Sequence, residues 1–174
     1  TLSLLKQQYA NEIEIHIGLE IEYFPSFNRI GYYKDLRERT EIELLLLGQH
    51  LAETTPGEYT FSWDKERLKQ EEYLALGNAL INGLQSGYFD AVAHPDRIFR
   101  RQKHWPSDMG VITKGIIEVA KDCQIPLEQN ESSKRRKHHY WKEFWELAAD
   151  VPAISGLDAH SLERLNRMGA TITR

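Results

Sequence analysis

The sequence predicts an α/β protein whose mainly parallel sheet is wound into a closed or nearly closed barrel. Two observations carry this expectation. Strand-like apolar runs alternate with segments of helical period, and an order of strand, helix, strand, helix over roughly five or six units implies right-handed crossovers between parallel strands. Four of the apolar runs also stop at a side chain able to bind metal: IHIGLE at Glu20, LLLLGQH at His50, DAVAH at His94, and AISGLDAH at Asp158 and His160. Helices that join parallel strands bring the carboxyl ends of those strands to one face, where such barrels hold their chemistry, so residues far apart in the chain are expected to meet there. Mixed imidazole and carboxylate groups suit Zn, Mn or Fe and point to metal-assisted hydrolysis rather than redox work.

Taken in order, TLSLLKQQYA reads as the last turns of an amphipathic helix, with Leu2, Leu5 and Tyr9 spaced for one face. The chain lacks an initiator Met, and earlier elements are expected to precede this helix. Residues 12–17 alternate polar and apolar like a half-buried strand that Gly18 to Glu20 brings to a close. Pro25 and Asn28 mark a loop before a helix through Tyr33 and Leu36, and 42–47 is apolar enough for a strand covered on both faces, with His50 directly after it. The stretch 52–63, with Thr54, Thr55, Pro56 and Gly57, has turn chemistry and no helical period, and is expected to be a long mobile loop placed to act as a lid. Asp64 is suited to cap a long helix running toward Gln85, with Leu68, Leu76, Leu80 and Leu84 inward, and Gly87 ends it before a strand over 89–93. Helices around 110–123 and 140–149 precede strands at 125–130 and 152–155. The terminal MGATITR reads as a strand cut short before any closing helix.

The 174 residues, of which 41% are hydrophobic, are enough to bury a core and are expected to form one domain, 1–174. A formal net charge of -4 disfavours nucleic-acid binding, which calls for clustered excess Lys and Arg. The lone cysteine, Cys123, excludes an internal disulfide. No segment has the length and apolarity of a membrane span or signal peptide, and a reducing, cytoplasmic setting is expected.

With these residues in view, the chain resembles the polymerase and histidinol phosphatase (PHP) superfamily and, within it, the bacterial histidinol-phosphatases. GLEIEYFP from Gly18, LLLGQH from Leu45, FDAVAHPD from Phe89, PLEQNES from Pro126 and GLDAHS from Gly156 carry the likeness, which spans nearly the whole chain. The resemblance implies a distorted (β/α)7 TIM-like barrel, here incomplete at the N-terminus, holding up to three divalent transition metals. It implies hydrolysis of a small phosphate monoester, L-histidinol phosphate, in L-histidine biosynthesis. Glu20 then corresponds to the carboxylate that bridges two metals, His50 and His94 to ligands from the next strand ends, and Asp158 and His160 to the closing Asp-x-His pair, which is also the catalytic pair. The family opens with a His-x-His motif on its first strand, absent here, so those ligands are expected upstream of Thr1 and the chain is expected to hold part of the metal site. A milder departure is GLDAH where the family commonly has GSDAH.

Single residues differ in how far they speak for themselves. Asp158 and His160 form the strongest pair unaided, because a one-residue gap lets both donors point to the same side of an extended chain. His16, inside an alternating run, and His104, in a charged segment, read as surface residues. The run KRRKHHY at 134–140 reads either as a solvated loop or as a phosphate grip, since a guanidinium holds phosphate oxygens through paired hydrogen bonds. It follows the strand that ends near Asn130 and so opens on the face of the metals. Relatives commonly carry an Arg soon after this Asn, which selects Arg135 for substrate binding, with Arg136 as the alternate. Glu128 and Asn130 are candidates to support the ligands from behind. Two rivals remain: a PHP phosphoesterase acting on another small phosphate ester, and a non-catalytic metal-binding PHP domain. The sequence leaves association of subunits open.

Overall fold

The computed structural model describes residues 1–63, 65–136 and 139–169. In chain order the elements are α1 (Leu2–Gln8), β1 (Gly18–Ile21), α2 (Pro25–Arg29), α3 (Tyr32–Arg37), β2 (Leu44–Leu47), the antiparallel pair β3 (Leu51–Thr55) and β4 (Glu58–Phe61), α4 (Gln70–Gln85), β5 (Ala91–Val92), α5 (Ser107–Asp122), β6 (Leu127–Asn130), α6 (Glu131–Lys134), α7 (Lys142–Leu147), β7 (Ala153–Gly156) and α8 (Leu162–Gly169). A 3-10 helix, Pro95–Phe99, follows β5.

Five strands form one sheet in the order β1-β2-β5-β6-β7, and every neighbouring pair is parallel. The β3–β4 hairpin is a separate sheet inserted between β2 and α4. Each strand of the main sheet lies beside its successor, so the winding never reverses as it does in a doubly wound sheet. β1 and β7 are the edges of the described sheet. The period of two along β2 decides which face meets the helices: Leu45 and Leu47 are fully buried, whereas Leu44 is 37% exposed. Against the buried face packs α4, which places Leu76, Leu80 and Leu84 at four-residue spacing in the core. α5 packs on α4 through Ile112 and Ile116, and α7 packs on α5 with Phe144 buried.

The structure departs from the sequence reading at several elements. Residues 12–17 precede the sheet instead of forming a strand, because the ladder begins where Gly18 pairs with Leu44. Glu20 therefore sits within a strand and not at its end. Pro25 opens the short helix α2 instead of a loop, in keeping with the fixed φ of proline at a first helical position. The face of β2 that holds Leu44 is partly open, so that strand is not covered on both sides. The stretch 52–63 is an ordered hairpin whose turn uses Gly57 at φ +83°, which glycine adopts without strain, and not a long mobile loop. α4 begins at Gln70, and Asp64 lies outside the described residues. Leu2, Leu5 and Tyr9 of the first helical segment are all exposed. Met168 and Gly169 of MGATITR end helix α8, and the rest of that segment lies outside the described residues. Among the described residues no helix is long and apolar enough to cross a membrane.

Candidate metal centre

Glu20 is in register with Leu46, so its side chain shares a face with Leu46 and, two residues on, with Gly48. Gly48 leaves room for it: a Cβ on residue 48 would fall 2.2 Å from Glu20 Oε1 and 2.7 Å from its Cγ, so the Glu20 side chain would have to move. The carboxylate thus lies across the chain that leaves β2. His94 stands two residues past β5, before the 3-10 helix, in the left-handed region at φ 33°, a conformation costly for a residue with a Cβ. Its backbone N–H donates to Glu128 Oε2 at 2.9 Å, which helps to hold that conformation, and its Nε2 lies 3.0 Å from Glu20 Oε1. Glu128 in turn needs Gly156 beside it, because a Cβ there would fall 1.5 Å from Glu128 Oε1.

His50 is fixed from behind by Glu22. The Glu22 Oε2 atom accepts the backbone N–H groups of His50 at 2.7 Å and Leu51 at 3.0 Å, and Oε1 lies 3.0 Å from His50 Nδ1. A neutral imidazole protonated at Nδ1 donates to this carboxylate and leaves Nε2 as the available donor atom. The segment that carries Glu22 is clamped in turn: Tyr33 Oη donates to the Glu22 carbonyl at 2.8 Å, and Gln49 Oε1 accepts the N–H of Tyr23 at 3.0 Å. The imidazole rings of His50 and His94 stand 5.0 Å apart. One ligand atom from each of Glu20, His50 and His94 lies within 4.8 Å of the other two. Burial disfavours the charge of Glu20 and the Asp158 carboxylate repels it, yet the hydrogen bond from His94 and the charges of His94 and His50 hold its carboxyl below the usual range. An ionised carboxylate flanked by two imidazoles fits a divalent transition metal.

Asp158 stands just past β7, also in the left-handed region at φ 49°. Its charge acts on Glu20, and that of His94 acts on it in return. Oδ2 accepts Arg97 Nη2 at 2.6 Å, and Oδ1 lies 2.7 Å from His160 Nε2. Burial raises the pKa of Asp158, but these partners outweigh it and keep the carboxyl ionised. Arg97 is 4% exposed and also donates to Asn130 Oδ1 at 3.0 Å and Ser133 Oγ at 2.9 Å. The His160 side chain is 72% exposed and is held by Asp158 alone among the described contacts.

The structure therefore brings Glu20, His50 and His94 into one cluster, with Asp158 close enough to act on it electrostatically and His160 attached through Asp158. Arg135 and Arg136 do not join the cluster directly. They line a cavity of about 300 Å³ with Ser132, Arg164 and Arg167. His16 pairs with Glu43 and Glu14 at the surface, and His104 is exposed. Lys137 and His138 of the basic run lie outside the described residues. Glu22, Arg97 and Trp63 escaped the sequence reading. Trp63 lies with its ring 5.6 Å from that of His50, and the Arg100 guanidinium sits 4.0 Å over its indole. The second carboxylate of GLEIEYFP signalled Glu22 and the arginine after AHPD signalled Arg97, though neither has a ligand's position in the pattern, and nothing signalled Trp63.

No family model matches the chain, and no curated protein does. Among the solved structures that share its fold are two bacterial proteins. One is a Listeria monocytogenes protein assigned as a histidinol phosphatase, with a TM-score of 0.71 and 16% identity over 98% of this chain and 73% of that one. The other is the histidinol phosphate phosphatase of Lactococcus lactis in complex with zinc, L-histidinol and phosphate, with a TM-score of 0.68 and 14% identity over 98% of this chain and 70% of that one. The likeness lies in the fold, an α/β arrangement around a parallel sheet.

Proposed function

We propose that this chain is a metal-dependent phosphoric monoester hydrolase of the PHP type, its sheet part of a distorted (β/α)7 barrel. The observation that carries the reading is the meeting of Glu20, His50 and His94 from three separate strands of one sheet. In this reading these residues hold divalent transition metal, up to three ions of Zn, Mn or Fe, with Asp158 and His160 as the closing ligands. A divalent cation there supplies Lewis acidity, polarising a phosphoryl oxygen and lowering the pKa of water to about 7. The chain's own residues do the rest. Glu22 and Glu128 hold the two histidines, Arg97 keeps Asp158 ionised, and Arg135 with Arg136 binds and orients the anionic ester.

L-Histidinol phosphate, cleaved to L-histidinol and phosphate in L-histidine biosynthesis, is the first substrate reading, supported by the ligands of the Lactococcus neighbour. A different small phosphate ester is the second, favoured by the four arginines around one cavity. Phosphate release from a panel of esters by the metal-loaded chain tests both readings. Replacing Asp158 by Ala is expected to remove bound metal and turnover together, and full activity in that variant would refute the assignment. Absence of transition metal by elemental analysis after purification and reconstitution would favour a non-catalytic domain.

A further inference from the structure

The cavity that receives Arg135 and Arg136 is walled on its other side by helix α8. Among the described residues its lining is Ser132, Arg135, Arg136, Arg164 and Arg167, with no carboxylate. Four guanidinium groups repel one another, and they gather here in a chain whose net charge is -4. Of the four, Arg167 is paired with Glu163 at 3.0 Å, while Glu131 pairs with Lys134 at 2.7 Å and Asp158 with Arg97 at 2.6 Å, cations that do not line the cavity. At about 300 Å³ the cavity has the size of a small-molecule site.

Its position ties it to the metal centre. Ser132 adjoins Ser133, whose Oγ accepts Arg97 Nε at 2.9 Å, and Arg97 is the residue that grips Asp158. The opposite wall begins just past His160, since α8 starts at Leu162. The cavity thus adjoins the residues that hold Asp158, and a substrate reaching it from the cluster would meet arginine's paired N–H groups, which suit phosphate or carboxylate and oppose a cationic amine.

We propose that the cavity takes a second anionic group of the substrate, so that the ester cleaved at the metal centre carries a further phosphate or carboxylate on its leaving group. The inference rests on the phosphatase reading and selects the second of its two substrates. The reaction is unchanged: the oxygen of water bonds to phosphorus, the ester P–O bond breaks, and the leaving oxygen takes a proton.

Two measurements separate this inference from the reading beneath it. Calorimetric titration of the chelator-treated chain with inorganic pyrophosphate is expected to show binding that weakens with salt and falls at least tenfold in the doubly substituted Arg164→Gln, Arg167→Gln variant. Both arginines are exposed on α8, and circular dichroism checks that the fold survives. Pyrophosphate binding that is absent, or equal in the variant, overturns the inference. With metal bound, kcat/KM is expected to be higher for a phosphorylated hydroxy acid than for phenyl phosphate or L-histidinol phosphate. The variant is expected to lose at least tenfold more, through KM, on the hydroxy acid than on phenyl phosphate. An equal loss on all the esters, or a preference for L-histidinol phosphate, overturns the inference and leaves the phosphatase reading standing. If no ester is cleaved while pyrophosphate still binds through the arginines, the phosphatase reading falls, and the substrate assignment with it.

Discussion

Glu22 does for His50 what Glu128 does for His94: each carboxylate accepts the backbone N–H of the histidine that it supports, at 2.7 and 2.9 Å. Carboxylates behind a histidine ligand typically contribute 10–100-fold in metal affinity by fixing the tautomer and raising basicity. Replacing Glu22 by Gln is expected to weaken zinc binding by about 10–100-fold with the far-ultraviolet spectrum unchanged, as a competition titration would read. Gly48→Ala acts on the carboxylate instead, since the added carbon would stand 2.2 Å from Glu20 Oε1, and comparable metal loss is expected. His139 provides a pH test away from the metals. Burial and four arginines depress its pKa from 6.5 to about 4, so between these values the unfolded chain binds the proton more readily. Its contribution is complete above about 6.5 and is lost as the pH falls toward about 4. The melting-temperature advantage of the parent chain over His139→Asn should accordingly shrink from pH 7 to pH 4. Of these residues the candidate ligands, and Glu128 as a support behind them, were legible in the sequence, whereas Glu22 was not. Which carboxylate of GLEIEYFP joins the cluster and which holds a histidine from behind depends on the register of β1 against β2, and local pattern does not encode that.

At the scale of elements, the hairpin is where sequence and structure differ most. Turn residues at 54–57 announced a change of direction, but the threonines and aromatics around them, Thr55, Tyr59 and Phe61, prefer strands, and two short strands with a tight turn satisfy each other's backbone. The return strand delivers Trp63 against His50, so a segment expected to be mobile contributes a fixed wall to the site. Glu72 anchors it. Its Oε2 accepts the N–H of Lys69 at 2.8 Å, where α4 begins, while Oε1 accepts Thr60 Oγ1 at 3.3 Å and pairs with Lys65. Glu72→Ala removes a helix cap and the tie to β4 together. A loss of about 1–2 kcal/mol is expected, seen as a melting temperature lower by about 2–8 °C. The tie explains why α4 starts at Gln70, well past the start read from sequence. The first turn forms where Glu72 can meet both the helix end and the hairpin, a tertiary contact that helical period cannot report.

For the whole molecule, strand polarity is what made the site legible. Parallel strands joined in sequence must point their carboxyl ends the same way, so the ends of β2, β5 and β7 could be expected to present His50, His94 and Asp158 together before any coordinates. Alternation of strand and helix gives the polarity of the strands and not how far the sheet curls, so the expected barrel goes beyond the five described strands, of which β1 and β7 are the edges. The same geometry makes metal a cross-link between elements far apart in the chain. Glu20 comes from β1, His50 from beyond β2 and His94 from beyond β5, so one cation bound by all three joins three adjacent strands on the face away from the helical core. Binding confined to the folded state adds about 2.7 kcal/mol when the free metal is a hundred times its dissociation constant. In a chain of this size each kcal/mol raises the melting temperature by about 2–4 °C, so zinc loading of chelator-treated protein is expected to raise it by about 5–11 °C. Alanine at Glu20, His50 or His94 should each remove most of that increment, although the three residues sit on different strands. Arg164→Gln, which lies outside the cluster, should leave it intact. An increment that survives all three alanine variants would mean that the cation binds elsewhere and that the cluster is a network of hydrogen bonds only.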